Sequence, residues 1–248
     1  MLFIFMLLGL SIGSFLNVLI YRLPKDESIA YPRSHCIHCK SNIPWYYNIP
    51  IISFILLKGI SHCCHKKISF RYPFVEIISS FLWIWSYYYL NGFTAIAFFL
   101  LISSCLLVII FTDYNDFIIP LELNVLMLLC CLFFHIYNQS DITNYIFSMF
   151  LLSGYFLILM FAMNYLLKKD SMGYGDIILI GIIGLWLGLI NGLIVIFLSS
   201  IFSIIYWTFL KFKNRIDNIV LPFGSAISLA AIFLKILIIT LQIDTNFF

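Results

Sequence analysis

Two acids in this chain stand at the mouths of long apolar runs, where carboxylates are rare. Met172-Gly173-Tyr174-Gly175-Asp176 opens one such run, and Phe111-Thr112-Asp113-Tyr114-Asn115-Asp116 closes another. An ionisable group in a spanning region is costly to keep there and reads as functional by default. Two carboxylates held close share one proton. The ionised member then serves as general base on a water, while the protonated member polarises a carbonyl. That is the chemistry of an aspartyl protease embedded in a membrane. Gly173 and Gly175 are expected to let backbone and substrate approach Asp176 closely. An acid that merely caps a helix, favourable by about 0.3–1 kcal/mol, has no need of flanking glycines. For its partner the local pattern offers both Asp113 and Asp116, in a stretch that also reads as a solvated turn before Pro120. Asp113 and Asp176 lie 63 residues apart, so they meet only if the ends of two segments pack together.

A second constellation lies near the N-terminus. Cys36-Ile37-His38-Cys39 is a C-x-x-C pair, and Ser61-His62-Cys63-Cys64-His65 follows it. Zinc takes four Cys or His ligands in a tetrahedron, and a small loop with little core of its own benefits from a metal staple. The pattern favours zinc, with its ligands drawn from these cysteines and histidines. The plainer reading is a set of reduced thiols in a basic loop beside the membrane. Cys105, Cys130 and Cys131 fall inside apolar runs and read as packing residues.

The elements that must position these groups are membrane helices. The chain is 63% hydrophobic and 10% charged, with a mean hydropathy of +1.06; soluble domains are about a quarter charged. Runs near the ~17–25 residues that cross hydrocarbon recur throughout. Eight segments are expected, at 2–20, 73–90, 93–112, 118–137, 144–167, 176–189, 191–210 and 225–243. The sixth is short, and its boundary with the seventh falls between Gly188 and Gly192. The first lacks a basic lead and a small-residue cleavage site, so it reads as a retained anchor. The chain is thus expected to divide into a first transmembrane helix (1–20), a Cys/His-containing loop domain (21–72) and a transmembrane domain of about seven helices (73–248) that carries both acids.

Charge sets the expected orientation. Of the 14 basic residues, 13 fall in alternate loops: eight from Arg22 to Arg71, then Lys168 and Lys169, then Lys211, Lys213 and Arg215. Cytoplasmic loops carry the positive excess, so the N-terminus is expected outside and these loops inside. Asp113 and Asp176 then both fall on the cytoplasmic edge of the bilayer. The remaining cation, Lys235, is expected to snorkel or pack in the bundle. Glu76 and Glu122 read as acids suited to helix starts, and His135 as structural.

These phrases, in this order, resemble the bacterial prepilin peptidases, or type IV leader peptidases, of the G-x-G-D class of intramembrane aspartyl proteases. The match runs from Gly13-Ser14-Phe15-Leu16-Asn17-Val18 and Tyr21-Arg22-Leu23-Pro24 through Arg33-Ser34, Asn48-Ile49-Pro50, Ser53-Phe54 and Ile68-Ser69-Phe70-Arg71-Tyr72-Pro73 with Glu76. It continues through Asp113 with Pro120, the Gly173–Asp176 phrase, Gly184-Leu185-Trp186-Leu187-Gly188 and Leu221-Pro222-Phe223-Gly224. The resemblance implies an all-α polytopic enzyme of the bacterial inner membrane. Its substrates would be type IV prepilins or pseudopilins of type II secretion, cut after a glycine at the cytoplasmic face. It also selects Asp113 over Asp116. It further implies methylation of the new N-terminus with S-adenosylmethionine. The lipid bilayer is the other partner, and no nucleic acid is expected.

The sequence departs from that family's pattern at several positions. Ser61 stands where the second C-x-x-C would begin and Cys64 where it would end, so the resemblance implies a metal site on Cys36, Cys39 and Cys64, with the extra thiol Cys63, or else His62 or His65, in the fourth place. Ile178 replaces a lysine, Leu121 an acid or amide, and Ser225 a proline that often follows Phe-Gly. The competing reading is a membrane transporter or assembly factor with a zinc-stabilised loop. Transport, however, places its polar groups near the bilayer midplane, away from one edge. A further alternative keeps the enzyme and makes methyl transfer its main activity.

Overall fold

The computed structural model describes residues 1–168, 172–212 and 221–241. Lys169, Lys213, Arg215 and the last residues of the eighth expected segment lie outside the described residues. Among the described residues the fold is all-helical, with two isolated β-bridges and no strand. In chain order the helices are α1 (Leu2–Arg22), α2 (Ile52–Leu56), α3 (Arg71–Tyr89), α4 (Phe93–Asp116), α5 (Leu121–Tyr137), α6 (Ile142–Leu167), α7 (Tyr174–Leu187), α8 (Leu189–Phe212) and α9 (Phe223–Thr240). All eight expected segments form helices. Five of them, α1, α4, α6, α8 and α9, have the length and apolarity to cross a membrane. The other three fall short for different reasons. α5 and α7 are apolar but only 17 and 14 residues long, and α3 interleaves Ser, Tyr and Glu76 with its apolar residues.

The chain forms two compact units, Met1–Val108 and Ile109–Phe248. In the first, α1 and α3 pack along their length. Gly9 and Gly13, one turn apart, make this possible: a Cβ at either would lie 2.6 Å from the backbone of Ser80 or Glu76. Small residues at four-residue spacing are how membrane helices bring their backbones together. The seam is tied by the Ser80 hydroxyl donating to the Met6 carbonyl at 3.2 Å and by Asn17 Nδ2 donating to the Tyr72 carbonyl at 3.1 Å. Arg22, almost wholly buried, donates to the carbonyls of Ser28, Ile29 and Pro32 and so anchors the start of the loop.

In the second unit α7 is central, packed by α5, α6, α8 and α9. Every residue from Leu179 to Leu187 is buried, which is why this helix is apolar on all sides rather than on one stripe. Gly188, at φ +82°, breaks α7 from α8 in a single residue, placing the soft boundary there. At the far end of α7, His135 spans three elements. Its Nε2 donates to the Leu185 carbonyl at 2.9 Å, its Nδ1 lies 2.8 Å from the Ser140 hydroxyl, and its ring packs on Tyr145. Lys235 lies over the Trp186 ring at 5.9 Å, within the bundle.

Candidate active site and thiol cluster

Asp113 sits in the last turn of α4. Phe117, at φ +54°, ends that helix with its N–H on the Asp113 carbonyl. The Asp113 side chain is buried, at 6% exposure, whereas Asp116 one turn on is exposed. This difference separates two acids that local sequence leaves equivalent. One Asp113 carboxylate oxygen, Oδ2, accepts the backbone N–H of Ser225 at 2.6 Å, and Ser225 lies in the first turn of α9. That turn has unsatisfied amides and the positive end of the helix dipole, so it is a natural seat for a carboxylate.

Asp176 sits in the first turn of α7, with its own N–H on the Gly173 carbonyl. Its Oδ1 is buried and has no hydrogen-bond partner. It too faces the start of α9: a Cβ on Gly224 would lie 3.0 Å from Asp176 Oδ1 and 2.5 Å from Ile119 Cδ1. The first turn of α9 therefore touches both aspartates, through Ser225 on one side and Gly224 on the other. The two expected glycines behave differently. Gly175 presses on Ile119, where a Cβ would approach to 3.1 Å, while Gly173 is exposed beside Asp176 Oδ2. Gly224, Ser225 and Ile119 were not among the site residues expected from sequence. The phrase Leu221–Gly224 marks the neighbourhood, but nothing in it says which carboxylate it meets. A cavity of about 200 Å³ opens beside Asp113, lined by Tyr114, Tyr206, Pro222 and Ser225 among others.

The sulfurs of Cys36, Cys39, Cys63 and Cys64 lie within 4.8 Å of one another. Cys36 and Cys64 are 3.7 Å apart, and Cys39 and Cys63 3.1 Å. Two similar knuckles build this cluster. In the first, the Cys36 N–H donates to Ser41, the Lys40 N–H returns to Cys36, and His35 pairs with Asn42. In the second, the Ser61 N–H donates to Lys66, the His65 N–H returns to Ser61, and Ile60 pairs with Lys67. Lys40 and His65 both turn at positive φ. Ser61 thus occupies the place of Cys36, and Cys64 that of Cys39. Cys63 enters from a position with no thiol in the first knuckle. Of the three alternatives for the fourth place, the fold brings Cys63; His62 packs on Tyr47 instead. Hydrogen bonds with Ser41, Ser61 and Cys39 bring the Cys63 thiol down to about 6. For Cys36, burial pushes upward, but backbone donors at Cys39 and His38 outweigh it and leave the thiol below its ordinary value. Four thiols at these separations suit zinc, since a tetrahedron with Zn–S bonds of about 2.3 Å has edges of about 3.8 Å.

Glu76 corrects an expectation. It lies in the second turn of α3, not at the helix start, and is buried at 7% exposure with Oε2 accepting the Ile51 N–H at 2.8 Å. Glu122 is in the first turn of α5, as expected.

Comparison with known proteins finds similarity along most of the chain. Residues 7–90 match the Bacterial Peptidase A24 N-terminal domain, and residues 100–208 match the Type IV leader peptidase family. A Prepilin leader peptidase/N-methyltransferase of Pectobacterium carotovorum subsp. carotovorum is 32% identical over 91% of this chain and 89% of its own. One from Legionella pneumophila is 30% identical over 88% and 85%. The Type 4 prepilin-like proteins leader peptide-processing enzyme of Escherichia coli O78:H11 is 31% identical over 90% and 89%. No solved structure matches. With the leader-peptidase phrases in order and relatives aligned over most of both chains, the protein belongs to the type IV leader peptidase family.

Proposed function

We propose that this protein removes the N-terminal leader of a type IV prepilin or type II secretion pseudopilin, with Asp113 and Asp176 as its catalytic pair. The observation that carries this reading is the convergence of both carboxylates on the first turn of α9. Asp113 is held by the Ser225 amide, and Asp176 keeps a buried oxygen free for water or a scissile carbonyl. In that arrangement one carboxylate takes a proton from the attacking water and the other donates one to the carbonyl oxygen. In this reading the protein lies in the bacterial inner membrane, and the alternation of basic loops supports an outer N-terminus and a cytoplasmic active site.

The relatives' names also carry methyl transfer, which we extend to this chain with S-adenosylmethionine as donor. That donor supplies a sulfonium methyl: the new N-terminal amine bonds to the methyl carbon, the C–S electron pair stays on sulfur, and the ammonium releases a proton to water. Zinc on Cys36, Cys39, Cys63 and Cys64 would hold the two knuckles together.

Mass spectrometry of a prepilin co-expressed with the wild-type protein, Asp113→Asn or Asp176→Asn tests the reading. Wild type should yield a shortened, singly methylated pilin. Each variant should lower cleavage by ~10²–10⁴-fold, the scale of a lost acid or base. Cleavage that survives both substitutions would remove the aspartate pair from the mechanism.

A further inference from the structure

Two buried side chains of the second unit lack partners and take no part in the chemistry described so far. Asn124, in α5, is 1% exposed, and neither its Oδ1 nor its Nδ2 has a hydrogen-bond partner. Ser228, in α9, is fully buried, and its hydroxyl is equally unpaired. Buried polar groups nearly always find a partner, and hydrocarbon around a helix has none to offer. The Asp176 Oδ1 atom is the third such group.

Helix packing sends all three toward one place. Ile119, just before α5, meets Gly175 of α7 and Gly224 of α9. At the opposite end, His135 of α5 reaches the Leu185 carbonyl of α7, and Lys235 of α9 lies over Trp186. The three helices therefore begin together and run the same way. Side chains lean toward the N-terminus of their helix, so those of α5 and α9 lean toward the aspartates. Asn124 shares a buried stripe of α5 with Met127, Cys131 and His135, and His135 shows that this stripe faces α7. Ser228 lies four residues beyond Gly224 and three beyond Ser225, the residues that touch Asp176 and Asp113. It thus stands one turn, about 5.4 Å, beneath the carboxylate pair. Between Asp176 and Trp186, α7 supplies no polar side chain of its own, so Asp176 is the polar group it offers to Asn124 and Ser228.

An amide, a hydroxyl and a carboxylate oxygen offer donors and acceptors together, which suits a neutral guest able to do both. A buried water makes about three such bonds. Peptide hydrolysis consumes a water, and an apolar bundle has few places to hold one. We propose that Asn124 and Ser228, with Asp176 Oδ1, bind the water used in hydrolysis and aim it at the scissile carbonyl. The assignment rests on the aspartate-pair reading. The water oxygen bonds to the carbonyl carbon, and one of its protons passes to the ionised carboxylate of the pair. Asn124 and Ser228 exchange no proton and act as positioning residues.

Steady-state cleavage of a purified prepilin by full-length wild type, Asn124→Leu and Ser228→Ala tests this, with thermal melting as the check on folding. Each variant should lower kcat about tenfold, the weight of one buried hydrogen bond, and alter the solvent deuterium isotope effect on kcat. KM should stay near wild type, because substrate contacts are untouched. The melting temperature should hold or rise, since apolar replacements of similar shape need no partner. If Asn124→Leu fails to fold, Ser228→Ala, which removes a single oxygen, decides alone. Wild-type kcat with a raised melting temperature would overturn the water site, and so would a raised KM with unchanged kcat. Asp176→Asn run alongside separates the two readings. Its inactivity beside wild-type rates in the other variants sinks the water site only, whereas its activity removes the aspartate pair itself.

Discussion

At Ser225 the backbone matters more than the side chain. Its N–H, 2.6 Å from Asp113 Oδ2, is a donor that proline lacks, and the resembling family often has proline at this position. Proline is tolerated in a helix's first turn because the lost N–H has no intrahelical partner. Ser225→Pro therefore removes one hydrogen bond to Asp113 while leaving α9 intact, and Ser225→Ala keeps that bond. Cleavage by Ser225→Ala should stay near wild type. Ser225→Pro should shift the pH–rate profile and slow turnover about tenfold, the weight of one hydrogen bond to a charged group. Matching profiles for the two variants would show that Ser225 is merely structural. Both carboxylates stand out in sequence as candidates, because an acid closing or opening an apolar run has few other uses. The local pattern does not rank Asp113 against Asp116, one helical turn away; the resemblance does, and packing gives the physical difference, since one is buried and the other exposed.

Among the elements, the two knuckles repeat one backbone pattern with different side chains. Because Ser61 fills the place of Cys36 and Cys63 supplies the fourth sulfur, the thiol has in effect moved two residues along the knuckle. Cys63→Ser should lose zinc, measured by metal analysis of the purified protein. Ser61→Cys/Cys63→Ser should recover it, since the regular position already faces Cys36, with its hydroxyl 3.6 Å from that sulfur. Continued loss in the double variant would mean that Cys63 has geometry Ser61 cannot reproduce. Glycine placement carries information that shows only when the helices are packed. Gly9 and Gly13 share one face of α1 and set its approach to α3. Gly224 works in the same way against Ile119. Neither role is a matter of unusual backbone angles; each is a matter of missing Cβ atoms where two elements touch.

For the whole molecule, the proposed orientation rests on charges alone and is open to a simple test. Fusions after Gln139, between α5 and α6, should give active alkaline phosphatase outside. Fusions after Lys168 should give fluorescent protein inside. The opposite pattern would place both aspartates on the outer edge, away from the proposed cut. Sequence by itself determined that the chain is a helical membrane protein, where its helices lie and which acids and thiols are chemically informative, because apolar length and charge are properties of the chain. Only the tertiary structure decided what those groups meet. Burial of Asp113, the free oxygen of Asp176, the entry of Cys63 and the burial of Asn124 and Ser228 all depend on atoms far apart in sequence. Pairings of that kind are set by how helices pack, and packing is fixed by many side chains at once rather than by any local motif.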